Sequence, residues 1–156
     1  MTVRASWLLH SSVRQLGQEE QFLAVDDLLL ERHSGQLKAI QTAQGIVPKA
    51  KLTICPGGNL LTAEPLEQTF DTSMPQTLGD YVTARSILGQ KLYAHCQMIG
   101  TVGDLQFDWS NGRLADIEVS QGLLPDLWYG RYHLTASGPY PASAAIGSAP
   151  SNEGVE

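Results

Sequence analysis

The chain has 156 residues, 42% of them hydrophobic and 17% charged, which supports a packed core and excludes wholesale disorder. Ten Lys and Arg stand against sixteen Asp and Glu, a net charge of −6. Direct nucleic-acid binding, which rests on Lys and Arg neutralising phosphates, is therefore not expected.

The N-terminus reads MTVRASWLLHSS, with an apolar run of only Trp7, Leu8 and Leu9 before His10. That is shorter than the roughly 7–15 residues of a secretory signal, and no window reaches the ~18–20 apolar residues of a membrane span. The sequence predicts a cytoplasmic protein without membrane insertion, so any peripheral membrane association goes through a partner. Two cysteines cannot build a disulfide framework, and Cys55 and Cys96 are expected as buried, reduced thiols.

Gln15–Leu30 carries helix-favouring residues, and Leu28-Leu29-Leu30 is continuous rather than alternating. Its strand assignment comes from the second half of the chain, described below. Ser34-Gly35 marks a turn. Cys55-Pro56-Gly57-Gly58 lacks a following Gly-Lys-Ser and reads as the turn of a hairpin, not a phosphate loop. Residues 71–84 are polar with a Pro and a Gly, and form a joint. Lys91–Ala94 is a short strand turned by His95-Cys96-Gln97. In Thr101–Trp109, Leu105 and Phe107 alternate with Gln106 and Asp108, a half-buried strand. Ser110-Asn111-Gly112 supplies a hairpin turn. Ala115, Ile117 and Val119 then alternate with Asp116, Glu118 and Ser120, a strand with one wet face. Gly122–Pro125 breaks it, and Leu127–Leu134 reads as another strand. From Thr135 to Glu156, 15 of 22 residues are Ala, Ser, Gly or Pro, too few large side chains to offset ordering entropy.

An internal repeat organises these elements. Residues 22–48 and 99–125 align without gaps at an offset of 77, with identities at 9 of 27 positions, among them Val25/Val102, Asp27/Asp104, Gly35/Gly112, Ile40/Ile117 and Pro48/Pro125. Upstream, with two residues more, Leu9 and Val13 fall opposite Leu88 and Leu92. The period is too long for a solenoid unit of about 20–50 residues and fits two copies of one small domain. Short strands and tight turns predict an all-β chain of two small antiparallel barrels. Each is near the size at which a single core is marginal, so the two are expected to pack on each other through an apolar face.

The second copy carries Leu88 with Gly89, then Leu92-Tyr93, a Gly100-Thr101-Val102 step, the Asp104-Leu105 pair, Asp108, and a Gly112-Arg113-Leu114 hairpin. Over about residues 86–135 this pattern resembles the PRC-barrel family, the small β-barrel of the cytoplasmic part of the photosynthetic reaction-centre H subunit and of the C-terminal domain of the ribosome maturation factor. The first copy looks like a divergent member over roughly residues 7–62, with His10 and Leu23 opposite Gly89 and Gly100. The resemblance implies PRC-type barrels at 1–72 and 85–141, a linker at 73–84 and a disordered tail at 142–156. It implies a non-catalytic adaptor or assembly module docking on a protein complex, photosynthetic or membrane-associated. The alternative is an accessory factor in ribosome assembly or RNA processing acting through protein contacts. The first is favoured because the chain has no RNA-facing partner domain. Fold alone does not fix function.

No catalytic, cofactor-binding or metal-binding residues are assigned. His10, His33, His95 and His133 lie in different segments without HxxxH or HExxH spacing. His95 and Cys96 are adjacent and so face opposite ways in a strand. Asp27 and Asp104 are repeat-equivalent, and turn or strand-edge carboxylates of this kind accept backbone N–H groups. The candidate protein interface is aromatic: Trp109 beside its turn, and Trp128, Tyr129, Arg131 and Tyr132 within five residues. These are the residue types enriched in interface hot spots. Alternate members of the second group would otherwise plug and rim the barrel.

Overall fold

In the computed structural model, the described residues are 1–56, 58–73, 79–94, 96–122 and 132–135. They are mostly β-sheet. β1 (Thr2–Arg4) and α1 (Ala5–Leu9) lead into β2 (Ser12–Gln15), β3 (Gln18–Glu31), β4 (Leu37–Thr42) and β5 (Ile46–Pro48). A 3-10 turn (Lys49–Lys51), β6 (Leu52–Ile54), β7 (Leu60–Thr62) and α2 (Leu66–Thr69) follow. The second half comprises β8 (Tyr81–Thr83), α3 (Ala84–Ile87), β9 (Lys91–Ala94), β10 (Gln97–Asp108), β11 (Leu114–Ser120) and β12 (Tyr132–Thr135).

The two halves exchange their first strands. β1 pairs with β10, and β8 pairs with β3. The registers are repeat-equivalent: Thr2↔Asp108 and Val3↔Phe107 match Tyr81↔Glu31 and Val82↔Leu30. The same irregularities recur in the β3–β4 and β10–β11 ladders, between Val25 and Asp27 and between Val102 and Asp104. The backbone bonds Trp109 N–Met1 O (2.9 Å) and Arg32 N–Asp80 O (2.8 Å) are another such pair. The end of the expected 73–84 linker is therefore structural, because Tyr81–Thr83 completes the sheet of the other half.

One core results. Val3, Ala5, Leu8 and Leu9 join Leu28, Leu30, Ile40, Leu60, Leu92, Leu105, Phe107 and Ile117 in a single buried cluster. The Leu28–Leu30 run also has a reason. Leu28 and Leu30 face this core, while Leu29 is covered on the other side by Ala39, Ile46 and Tyr81. A strand covered on both faces is continuously apolar. The wet face expected for β11 is corrected at Glu118. It is only 6% exposed, and Arg4 on the imported β1 reaches its carboxylate at 3.3 Å.

The three short α-helices among the described residues were absent from the all-β reading. Each is about one turn, too short for a 3.6-residue pattern to register. The turns behaved as the sequence suggests: Gly35 and Gly112 have φ of +70° and +74°. At Gly112 the carbonyl oxygen accepts from Leu37 N at 2.7 Å, so the two hairpin tips touch. A Cβ there would lie 2.6 Å from the Leu37 carbonyl oxygen, a second reason for glycine.

Three differences between the halves stand out among the described residues. The strand paired to β11 in the position of Ile46–Pro48 is His133–Thr135. The sequence match of Pro48 to Pro125 therefore does not carry over to the ladder, and residues 123–131 lie outside the described residues. Second, β7 runs parallel to β2, with Val13↔Leu60, Arg14↔Leu61 and Gln15↔Thr62. No described strand stands against the equivalent edge of β9. Third, the two-residue turn before β3 uses Gly17 at φ +84°, whereas the matching turn before β10 uses Cys96 at φ +63°. Cys96 is exposed, which corrects the expectation of a buried thiol; Cys55 is half-buried. A Cβ is unfavourable in this region by about 1–2 kcal/mol. Cys96→Gly is expected to raise stability by about 1 kcal/mol, read as a higher Tm; an unchanged or lower Tm counts against a strained turn.

Candidate functional site

The side chains with chemical potential are placed first by the strand exchange. Asp104 is 4% exposed. Its Oδ1 accepts from Leu105 N at 2.8 Å and from Ser6 N at 3.0 Å, and its Oδ2 accepts from Ser6 Oγ. Asp27 Oδ1 accepts from Leu28 N at 2.8 Å and Arg85 N at 3.0 Å. Ser6 and Arg85 are the second residues of α1 and α3. Each aspartate thus holds the start of the helix that belongs to the other half, a capping role taken across the repeat. The N-cap residue of α1, Arg4, makes no side-chain cap of its own.

Trp109 is the aromatic candidate whose side chain is described. The ring is half-buried against the core, and the Lys49 ammonium lies 4.8 Å from the ring centroid. Burial lowers the Lys49 pKa, and the neighbouring Asp108 raises it in part. Asp108 is held below the ordinary carboxylate range, first by the Ser110 hydroxyl (2.7 Å) and then by the Ser110 backbone N–H (3.0 Å). A carboxyl depressed in this way stabilises the fold above its unfolded-state pKa, and that contribution is lost as pH falls through the folded value. Trp109→Ala is expected to cost about 1–2 kcal/mol, since it removes a half-buried ring and the Lys49 contact. A thermal melt checks this; an unchanged Tm would leave Trp109 without a packing role.

The other aromatic candidates are not reached in the same way. Trp128, Tyr129 and Arg131 lie outside the described residues. Tyr132 begins β12, where its backbone pairs with Val119. Its neighbour His133 is exposed and brings Nδ1 to 2.6 Å from Asp116 Oδ2. His10 and His33 are exposed and separate. Among the described residues, no group of three or more His, Cys, Asp or Glu is placed to hold a metal ion.

Sequence reasoning missed an open apolar cleft of about 520 Å³ between β1 and the β6–β7 turn, lined by Met1, Val3, Trp7, Ile54 and Pro56 among others. Trp7 is 36% exposed there. The only sequence signal was the Trp7-Leu8-Leu9 run, whose two leucines turn into the core. Its repeat-equivalent cleft, about 400 Å³ beside β8 and α3, is polar, with Arg32, Tyr81, Thr83, Ser86 and Gln90. Ser86 stands where Trp7 does. Among the described residues no helix is long and apolar enough to cross a membrane. Compared with known proteins, the chain matches no family model and no curated protein sequence.

Proposed function

We propose that this chain is a non-catalytic adaptor or assembly module: two PRC-type β-barrels in tandem that dock on a protein complex, in a photosynthetic or membrane-associated setting. One observation carries the reading. The carboxylates that recur in both copies, Asp27 and Asp104, are engaged by backbone amides of the opposite half; their role is architectural. The matching registers of the exchanged strands support two copies of one module. The PRC-type motif residues support the family, since Gly89, Gly100 and Gly112 all take positive φ. The net charge of −6 favours protein over phosphate-backbone partners.

Affinity capture on the full chain from native extract, with and without detergent, tests this. Recovery of a defined photosynthetic or membrane-protein complex supports the proposal. Recovery of ribosomal subunits instead would move the chain to ribosome assembly, and recovery of no stable partner would sink the docking role.

A further inference from the structure

We propose that Asn111-Gly112 is a modification site, a deamidation centre that the contact between the two hairpin tips holds closed. The inference stands apart from the adaptor reading. A glycine after asparagine leaves its nitrogen open to the neighbouring carboxamide, because it carries no Cβ to hinder the approach. In the reaction, the Gly112 nitrogen gives its proton to solvent base and attacks Asn111 Cγ. A C–N bond forms, the Cγ–Nδ2 bond breaks, and ammonia leaves. Water then opens the cyclic imide at either carbonyl, so the whole change consumes one water and releases one ammonia. One product is aspartate. The other is isoaspartate, whose main chain runs through Cβ and Cγ and is one atom longer.

The folded geometry opposes each step. Gly112 is buried, and its N–H donates to the Asp108 carbonyl oxygen at 2.7 Å, out of reach of solvent base. The Asn111 carboxamide is fixed as well, since its Oδ1 accepts from Arg113 N at 2.8 Å. The first half adds the lock. Gln36 Nε2 donates to the Asn111 carbonyl oxygen, and Leu37 N to the Gly112 carbonyl oxygen at 2.7 Å. The peptide unit that must react is thus held at its oxygen by one half and at its N–H by the other. The repeat shows that the turn does not need the asparagine. Ser34 stands in its place, Gly35 N donates to Glu31 O at 2.8 Å, and Ser34 Oγ accepts from Gln36 N at 3.2 Å. The serine makes the same kind of bond two residues on but has no carboxamide to lose, so of the two tips only the second can react. Isoaspartate would not fit there. Gly112 is so close to Leu37 that even a Cβ would lie 2.6 Å from the Leu37 carbonyl oxygen, which leaves no room for a longer main chain.

The test ages the full chain in mildly alkaline buffer beside a capped peptide of the sequence Asp108–Leu114. Mass spectrometry reads the loss of the carboxamide, and fragmentation separates aspartate from isoaspartate. Asn111 in the folded chain should react at least about tenfold more slowly than in the peptide, and at the peptide's rate once the chain is unfolded in urea. Gln36→Ala removes one hydrogen bond from the lock. It should speed both deamidation at Asn111 and hydrogen exchange of the Gly112 amide by the same factor, about two- to tenfold, because both need the same local opening. Should that variant unfold, Gln36→Glu keeps the shape, loses the donor and takes its place. A folded chain that reacts at the peptide's rate overturns the closed site. A Gln36 variant that deamidates no faster than the parent, or whose deamidation does not follow Gly112 exchange, overturns the lock. The isoaspartate form, separated from the aged chain, should melt at least about 3 °C below the parent, while Asn111→Ser and Asn111→Asp, which keep an acceptor for Arg113 N, should melt close to it. An isoaspartate form with the parent's Tm overturns the proposal that the modification releases the tips.

Discussion

Residues 80–142 expressed alone are expected to be unfolded as a monomer. The fragment keeps β8 to β12 but lacks β1, whose three residues pair with Gln106, Phe107 and Asp108. It also lacks α1, and with it the Ser6 N–H and Oγ that satisfy Asp104. Burial of Val3, Leu8 and Leu9 contributes roughly 5–9 kcal/mol, comparable with the whole stability of an ordinary domain. Adding residues 1–79 in trans should restore a cooperative melt. Any folding of the fragment by itself should depend on concentration, since Tyr81–Thr83 of one copy can take the place of Thr2–Arg4 on another; their registers are equivalent. Sedimentation and thermal melts over a range of concentrations decide this. A monomeric fragment melting at the Tm of the full chain would show that each half holds a core of its own.

The second large effect is expected at Asp104. Asp104→Ala leaves the Ser6 and Leu105 amides without their carboxylate in a site only 4% exposed. Hydrogen bonds to a charged group are worth about 1.5–3 kcal/mol each, and an unsatisfied buried donor keeps its desolvation cost. The expected loss is about 2–4 kcal/mol, or roughly 5–15 °C in Tm. Asp27→Ala should cost less, about 1–2 kcal/mol, because Asp27 is only half-buried and its amides can turn to water. Asp104→Asn retains an acceptor and removes a negative charge opposite Glu118 in the ladder, so its loss should fall between. Equal Tm values for Asp104→Ala and the parent chain would remove the cross-repeat cap from the account of stability.

These two expectations mark where sequence reading stopped. The hairpin around Ser110-Asn111-Gly112 was legible because alternation of Leu105 and Phe107 with polar neighbours reports a strand, and glycine after asparagine reports the turn. Asp27 and Asp104 were legible as equivalent carboxylates that bond backbone amides. That the amides belong to the other half was not, because a short-range pattern carries no information about contacts 58 or 98 residues away. Trp7 was passed over for the same reason. It became part of a cleft only when the β6–β7 turn came to lie beside it.

The sequence by itself determined that the chain carries an internal repeat. The offset of 77 places matching hairpins, turns and aspartates in both copies, and period-two alternation makes them β. Only the tertiary structure decided which strand completes which sheet. Alternation specifies the face a side chain presents, not the neighbour its backbone bonds. The two first strands pair with repeat-equivalent residues, so local sequence does not distinguish exchange from self-closure. Tertiary structure alone also decided that His133–Thr135 fills the ladder position of Ile46–Pro48, and that β2 carries a parallel neighbour on the edge where β9 has no described strand. Strand partners are set by the shared core and by which edges remain to be covered, and both exist only once the chain is folded.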